Sequence, residues 1–205
     1  MPVPVTPLDA AYNVCARSPI WQSEWVAGTE AQRMVLGGVE PDWKHGPPPP
    51  RYIRGRFNDP DMQKLIYRET DDYLGRGTLF AAPSQDPDVL VSEYGAVISP
   101  CFVRQVPDKD DRLCFNYSWL KDQERTRSTK LETLKQVPVW AVPGMKTWSK
   151  DVSKAFDHLR YKHRALRFFL IDRGPNPDGS AATPESPRFL LCYGMMFGWS
   201  KAPFC

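Results

Sequence analysis

The pattern of polar and apolar positions predicts two helices in the first half of the chain. Residues 30–36 combine polar and apolar side chains as a short helix would. Residues 59–69 predict a second helix, because Asp59 can cap the first turn and Pro60 suits the first helical position.

Extended runs of β-branched residues predict a strand hairpin in the middle of the chain. Residues 89–100 and 101–106 supply the extended material, and residues 107–111 contain the Pro and Asp of a turn. Residues 112–117 then predict the returning strand. This part of the chain is therefore expected to be antiparallel.

Two more strands are predicted nearer the C-terminus, at residues 166–172 and 189–193. The segment between them, residues 175–187, is rich in Pro, Gly and Ser and predicts a loop. It is longer than a connection between two such strands usually needs, so we interpret it as an insertion.

Proline-rich segments suggest how the chain is divided. Residues 46–50 (GPPPP) form a polyproline spacer that joins neither a helix nor a sheet, and residues 82–88 predict a loop. We therefore expect a Pro-rich, partly irregular N-terminal extension over residues 1–84, with a linker near 46–50. A second region is expected over residues 85–205.

Composition favours an ordered, intracellular protein. The chain has 205 residues, of which 41% are hydrophobic and 25% charged, as in ordinary globular proteins. It contains neither a run of about eighteen apolar residues nor an N-terminal signal peptide, so neither membrane insertion nor secretion is expected. Five cysteines without a C-x-x-C pair and three scattered histidines make a zinc site or a disulfide framework unexpected.

Positive charge is concentrated in the second half of the chain. Residues 1–100 carry 9 Lys and Arg against 13 Asp and Glu, whereas residues 101–205 carry 18 against 11. Cations clustered in this half are candidates for neutralising a nucleic-acid backbone, and a solvated face is the alternative interpretation. The candidate nucleic-acid-binding residues are Arg160, Lys162, Arg164 and Arg167.

Three sequence boxes in the second half indicate a more specific chemistry. Residues 112–121 (RLCFNYSWLK) begin with Arg112, residues 148–159 (WSKDVSKAFDHL) contain Asp151, and residues 195–203 (MMFGWSKAP) surround a Gly-Trp pair. In this order they resemble the R-[ML]-x-x-D-[YF]-x-x-L-N, D-x-x-x-A-[FY] and [MLP]-[PQ]-[FQ]-G-[LWF]-x-x-[AS]-P boxes of reverse transcriptases, especially those of retrotransposons.

The resemblance covers residues 92–205, and the chain departs from the boxes at Asn116, Lys121 and Met196. It implies an α+β fold: the fingers and an incomplete palm of a right-hand polymerase, with helices packed on an antiparallel sheet. The implied activity is RNA-directed DNA polymerisation. The implied partners are an RNA or DNA template-primer and deoxynucleoside triphosphates.

The resemblance also implies a catalytic metal site. Asp151 matches the metal-binding aspartate, and the main-chain carbonyl of Val152 would lie beside the same ion. Nucleotidyl transfer of this kind uses two Mg²⁺ or Mn²⁺ ions held by carboxylates from two strands. No aromatic-x-Asp-Asp motif follows Asp151, so we expect this isolated chain not to extend a primer and the cofactor to apply only to the complete enzyme. A noncatalytic nucleic-acid-binding remnant is the alternative.

Further residues match positions that contact the incoming nucleotide. Arg112 matches the fingers arginine that packs over the base and touches the triphosphate, and Arg104 is a candidate for a second phosphate contact. Phe156 matches the aromatic residue that blocks a ribose 2′-hydroxyl, although a core position on a helix face is an alternative. The turn beside the nucleotide and template matches Phe197, Gly198 and Trp199.

Overall fold

The computed structural model describes residues 27–105, 107–108, 111–125 and 159–195. They form a mixed α+β fold, as expected. The helices are α1 Glu30–Gly37, α2 Pro60–Gly75, α3 Pro87–Ser92, α4 Leu120–Gln123 and a 3-10 helix at His163–Phe168. The strands are β1 Arg51–Tyr52, β2 Leu79–Ala81, β3 Val97–Arg104, β4 Arg112–Phe115, β5 Leu170–Asp172 and β6 Phe189–Cys192.

The six strands belong to one sheet whose main path has the order β1-β3-β5-β6-β2, while β4 pairs with β3. β1 and β5 both run parallel to β3, and the other pairs are antiparallel. The expectation of an antiparallel sheet is therefore wrong for the centre of the sheet. Parallel pairing arises because the chain returns to β3 from distant segments through long crossovers rather than through tight turns.

Strand β3 changes partners along its length. Its first half, up to Pro100, pairs with β1 and β5, whereas its second half, from Cys101 to Arg104, pairs with β4. The predicted β3–β4 hairpin is thus present and is continuous with the main sheet. Its described turn residues are Pro107 and Asp108, and Asp108 has a φ of 61°, which Asp tolerates better than most residues.

The two helices predicted in the first half are present. The Thr29 hydroxyl caps α1 by accepting the Gln32 amide, and the Asp59 carboxylate caps α2 by accepting the amides of residues 61 and 62. Pro60 stands at the start of α2, as its fixed φ favours. The helix continues beyond the predicted residue 69 to Gly75, because buried Thr70 extends its core-facing side.

Residues 89–92 and 166–168, predicted as extended, are helical. The former belong to α3, which the Asp86 carboxylate caps through the Asp88 amide and in which Leu90 is buried. Residues 163–168 form the 3-10 helix, so the strand predicted over 166–172 begins only at residue 170. In both segments, local capping or tight turning outweighs the β-propensity of the apolar residues.

The core lies where β3, β5 and β6 meet and where α2 packs against β3. Tyr161 stacks on Phe169 with ring centroids 3.8 Å apart, and Tyr117 meets the edge of Phe169. Strands from both sides of residue 84 contribute to this core, since β1 and β2 pair with β3 and β6. The division proposed at residue 84 stays a prediction.

The connection between β5 and β6 contains neither helix nor strand, as predicted for residues 175–187. Asn176 organises it: its amide donates to the Ser180 hydroxyl at 2.9 Å and to the Ala181 carbonyl at 3.0 Å. The Ser186 hydroxyl donates to the Asn176 side-chain oxygen at 3.0 Å. The connection is therefore an ordered surface loop built around one asparagine.

Candidate nucleic-acid interface

The β3–β4 hairpin has one buried and one solvent-facing side. Side chains alternate along a strand, so the buried side carries Cys101, Val103, Leu113 and Phe115. The other side carries two cross-strand pairs, Phe102 opposite Cys114 and Arg104 opposite Arg112. We call this side, defined by Phe102, Arg104, Arg112 and Cys114, the hairpin face.

Two arginines stand directly opposite each other on the hairpin face. Both are exposed, and like charges in this arrangement repel. Within the described part of the chain neither guanidinium has an acidic partner, because the neighbouring Asp111 pairs instead with Arg68 at 2.8 Å. The hairpin face therefore has concentrated positive charge and guanidinium donors directed to solvent.

Cys114 reports the electrostatic character of this face. Partial burial raises the pKa of its thiol, while Arg104 and Arg112 act in the opposite direction by favouring the thiolate. Both guanidinium charges are thus close enough to affect the thiol of the adjacent cross-strand pair. The local potential is positive, which suits a bound anion.

Phe102 adds an aromatic surface to these charges. Its side chain is 47% exposed, although large aromatic residues generally bury most of their surface. An exposed aromatic ring beside two guanidinium groups is suited to stacking a base while the cations contact phosphates. The resemblance drew attention to Arg104 and Arg112 but not to Phe102, which the alternation of Phe102 with Arg104 along one strand could have indicated.

Three of the four predicted nucleic-acid-binding residues line a cavity of about 460 Å³. Arg160, Lys162 and Arg164 line this cavity together with Tyr193. Arg160 donates to the Tyr193 hydroxyl at 3.3 Å. Arg167, the fourth predicted residue, lies 4.7 Å above the ring of its neighbour Phe168 and lines an adjacent cavity, so the structure groups three of the four.

Glu40 partly neutralises this group. Its carboxylate accepts a hydrogen bond from Lys162 Nζ at 2.8 Å and two from Arg164, from Nε and Nη2, both at 2.6 Å. These contacts, led by the hydrogen bond from Arg164, lower the pKa of Glu40 to about 2. No sequence signal pointed to Glu40, because it lies more than 120 residues before its partners.

A third charged cluster is buried at the end of β5. The Asp172 carboxylate accepts hydrogen bonds from Arg188 Nε and Nη2, from the Gly174 amide and from the Tyr52 hydroxyl. Burial, reinforced by Asp172, raises the pKa of Tyr52 to about 12. Four donors occupy the capacity of one carboxylate, so Asp172 has a structural role and is not a candidate general base.

Arg173, the next residue, is also buried, with its side chain 1% exposed. It donates to the Pro187 carbonyl at 2.6 Å and pairs with Asp71, and its guanidinium lies 3.8 Å from the Tyr67 ring centre. Together Asp172 and Arg173 bind both ends of the loop between β5 and β6. This arrangement stabilises the sheet and leaves the loop itself exposed.

The predicted catalytic and metal-binding residues lie outside the described residues. These are Asp151 and Val152, together with the predicted nucleotide contacts Phe156, Phe197, Gly198 and Trp199. Within the described ranges, no three His, Cys, Asp or Glu side chains are grouped so as to hold a metal ion. The hairpin face and the cavity lined by Arg160, Lys162 and Arg164 are therefore the candidate sites that the structure describes.

No protein-family model matches the chain, and a comparison with curated protein sequences finds no relative. Among the described residues, no helix is long and apolar enough to cross a membrane.

Proposed function

We propose that this chain is the fingers and part of the palm of a retroelement reverse transcriptase, and that its hairpin face binds the nucleic-acid strand and the incoming nucleotide. One observation carries the proposal: Arg104 and Arg112 lie opposite each other on an exposed hairpin, with Phe102 on the same face. The box beginning at Arg112 suggested this hairpin independently of its geometry.

The chemistry of the face supports a polyanionic aromatic ligand. Guanidinium groups bind phosphates through paired donors, and an exposed phenyl ring stacks on bases of any sequence. A deoxynucleoside triphosphate and a single strand both combine these two chemistries. Phosphate contacts and stacking carry little sequence information, so we expect little sequence preference where these two contacts dominate binding.

The proposed catalytic centre lies elsewhere in the chain. Asp151 and the Val152 carbonyl are the proposed ligands of Mg²⁺ or Mn²⁺, which in this reaction class activates the primer 3′-hydroxyl. The proposed role of the hairpin face is to position the nucleotide and strand. Strand binding by the hairpin face is not expected to require Asp151.

Binding of a fluorescent single-stranded oligonucleotide tests the role of the hairpin face. We expect Phe102→Ala, Arg104→Gln and Arg112→Gln each to weaken binding about tenfold, because each loses a stacking or charge-assisted contact. Arg33→Gln is the matched control, since Arg33 is an exposed arginine on α1, outside the face. Equal losses in the control and the three variants would contradict the proposal.

A noncatalytic nucleic-acid-binding protein is the second candidate, favoured by the fact that the hairpin face needs no metal to bind a strand. Because this isolated chain is not expected to extend a primer, titration with a deoxynucleoside triphosphate and Mn²⁺ separates the two candidates. Metal-dependent nucleotide binding that Asp151→Asn abolishes, with oligonucleotide binding unchanged, supports the polymerase fragment. Strand binding without metal-dependent nucleotide binding supports the second candidate.

A further inference from the structure

We propose that Lys162 and Arg164, which line a cavity together with Arg160, form a phosphate-binding site in which Glu40, from the adjacent cavity, competes with the ligand. The phosphate would be carried either by a nucleic-acid strand or by a free polyphosphate. None of the described residues lining the cavity belongs to the hairpin, so the inference stands apart from the proposed function.

The charge balance of the site favours an anion. Arg160, Lys162 and Arg164 line the cavity, and Lys162 and Arg164 share the carboxylate of Glu40, so these two cations face one acid. A volume of about 460 Å³ lies within the range of small-molecule sites and accommodates two or three phosphate groups. The site therefore combines space with positive charge in excess of its internal acid.

The hydrogen-bond geometry also fits a phosphate. Glu40 engages Arg164 in a fork, with Nε on one carboxylate oxygen and Nη2 on the other. Phosphate oxygens engage a guanidinium in the same way. The carboxylate of Glu40 thus stands in for two phosphate oxygens, and Lys162 adds a third contact of the kind a triphosphate chain receives.

Further donors remain for a ligand. Lys162 has three N–H donors and Arg164 has five, and within the described residues Glu40 accepts from one of the former and two of the latter. The Arg164 side chain is 75% exposed, so its remaining donors are accessible. The low pKa of Glu40 is consistent with the strength of the positive field that a phosphate would meet.

If Glu40 competes with the ligand, removing Glu40 and removing its partners Lys162 and Arg164 should change phosphate affinity in opposite directions. With inorganic tripolyphosphate as the probe in isothermal titration calorimetry at low salt, Glu40→Gln should tighten binding about fivefold, because the competitor is lost. The double variant Lys162→Gln/Arg164→Gln should weaken binding at least about tenfold. Thermal melts of each variant establish that it is folded.

A matched control is available on helix α2. Lys64 pairs with Asp61 and Arg68 with Glu69 and Asp111, so Lys64→Gln/Arg68→Gln removes the same charge from paired, exposed cations. It should leave tripolyphosphate affinity within about twofold of the parent chain. If Glu40→Gln does not fold, Glu40→Asp retracts the carboxylate by one methylene and should tighten binding by a smaller factor.

The same variants titrated with a single-stranded oligonucleotide identify the source of the phosphate. Opposite responses of the acid and base variants to tripolyphosphate support a free polyphosphate as ligand, and the same responses to the oligonucleotide alone support a strand phosphate. Weaker or unchanged binding of both probes by folded Glu40→Gln, or equal losses in the α2 control, would overturn the inference. Made in an Arg104→Gln/Arg112→Gln background, the acid and base variants should still respond in opposite directions to tripolyphosphate, which separates this test from that of the hairpin face.

Discussion

Two pairs of arginines in this protein have opposite surroundings. Buried Arg173 pairs with Asp71 and partly buried Arg188 pairs with buried Asp172 at the end of β5, whereas Arg104 and Arg112 face each other and solvent on the hairpin. The charges of the first pair are matched by acids. We propose that an arginine here binds a ligand where its charge is unmatched and has a structural role where its charge is matched.

The largest expected effect is a loss of stability when the ion pair between Arg188 and Asp172 is broken. Arg188→Met should lower the free energy of unfolding by about 3 kcal/mol, because Asp172 would keep a buried charge without its main partner. Chemical denaturation measures this change. Arg104→Met, which removes an exposed arginine of the same size, should change stability by less than about 0.5 kcal/mol.

A double-mutant cycle sharpens the same comparison. Arg188→Met combined with Asp172→Asn should be less destabilising than Arg188→Met alone, since no unpaired charge remains in the core. Additive effects of the two substitutions would show that the pair is not coupled. The buried network would then contribute through packing rather than through charge.

The next largest expected effect is a loss of oligonucleotide affinity when the arginines of the hairpin face are removed. Arg104→Gln/Arg112→Gln should weaken oligonucleotide binding about 100-fold at low salt, and the slope of log affinity against log salt should become shallower by about 1.4. Titrations at several salt concentrations measure the slope. An unchanged slope in a weakened variant would mean that the two arginines contact no phosphates.

Protonation of Glu40 at low pH is expected to have an effect of intermediate size on stability. Its pKa is about 2 in the folded chain against 4.5 in the unfolded chain, so the unfolded state binds the proton first as pH falls. The stability that Glu40 contributes is therefore complete above pH 4.5 and is lost as pH falls toward 2. We expect a loss of about 1 kcal/mol, reduced by solvent screening, in denaturation curves across this range.

Glu40→Gln should remove this part of the pH dependence and leave a flatter profile between pH 4.5 and 2. Lys64→Gln serves as the control, because its partner Asp61 is far more exposed than Glu40. A profile as steep in Glu40→Gln as in the parent chain would assign the acid sensitivity to other carboxylates.

The smallest expected effect has the opposite sign to the first. Arg112→Gln should raise the free energy of unfolding by a few tenths of a kcal/mol, because it relieves repulsion from Arg104 across the hairpin. Thermal melts at low salt should show the gain, and added salt should reduce it. A destabilised Arg112→Gln would mean that Arg112 has a structural role, which would remove the contrast between the two pairs.

Local signals predicted local structure well where they were recognised. Asp59 and Pro60 predicted α2, and the same Asp-Pro signal at Asp86 and Pro87 begins α3, although the following β-branched run favoured a strand. The hairpin followed from its strands and its Pro-Asp turn. These features depend on neighbours within a few residues, which the sequence displays directly.

Long-range arrangements could not be predicted in this way. Tyr52 and Arg188 meet at Asp172 from segments 136 residues apart, and Glu40 meets Arg164 from 124 residues away. Parallel pairing of β1 and β5 with β3 likewise depends on the path of the whole chain. No periodicity or cap in these segments specifies which distant partner each will find.

The ionic contacts at the two ends of the β5–β6 loop have a consequence for protein engineering. Asp172 pairs with Arg188, and Arg173 donates to the Pro187 carbonyl. These side-chain contacts, and not the length of the loop, hold its two ends together. A change in length then costs only loop entropy, about 0.6 kcal/mol for each doubling. The exposed junction between Ala182 and Thr183, which lies between the hydrogen-bonded turns of the loop, is accordingly a place where an affinity tag or a fluorescent peptide can be inserted without disturbing the sheet.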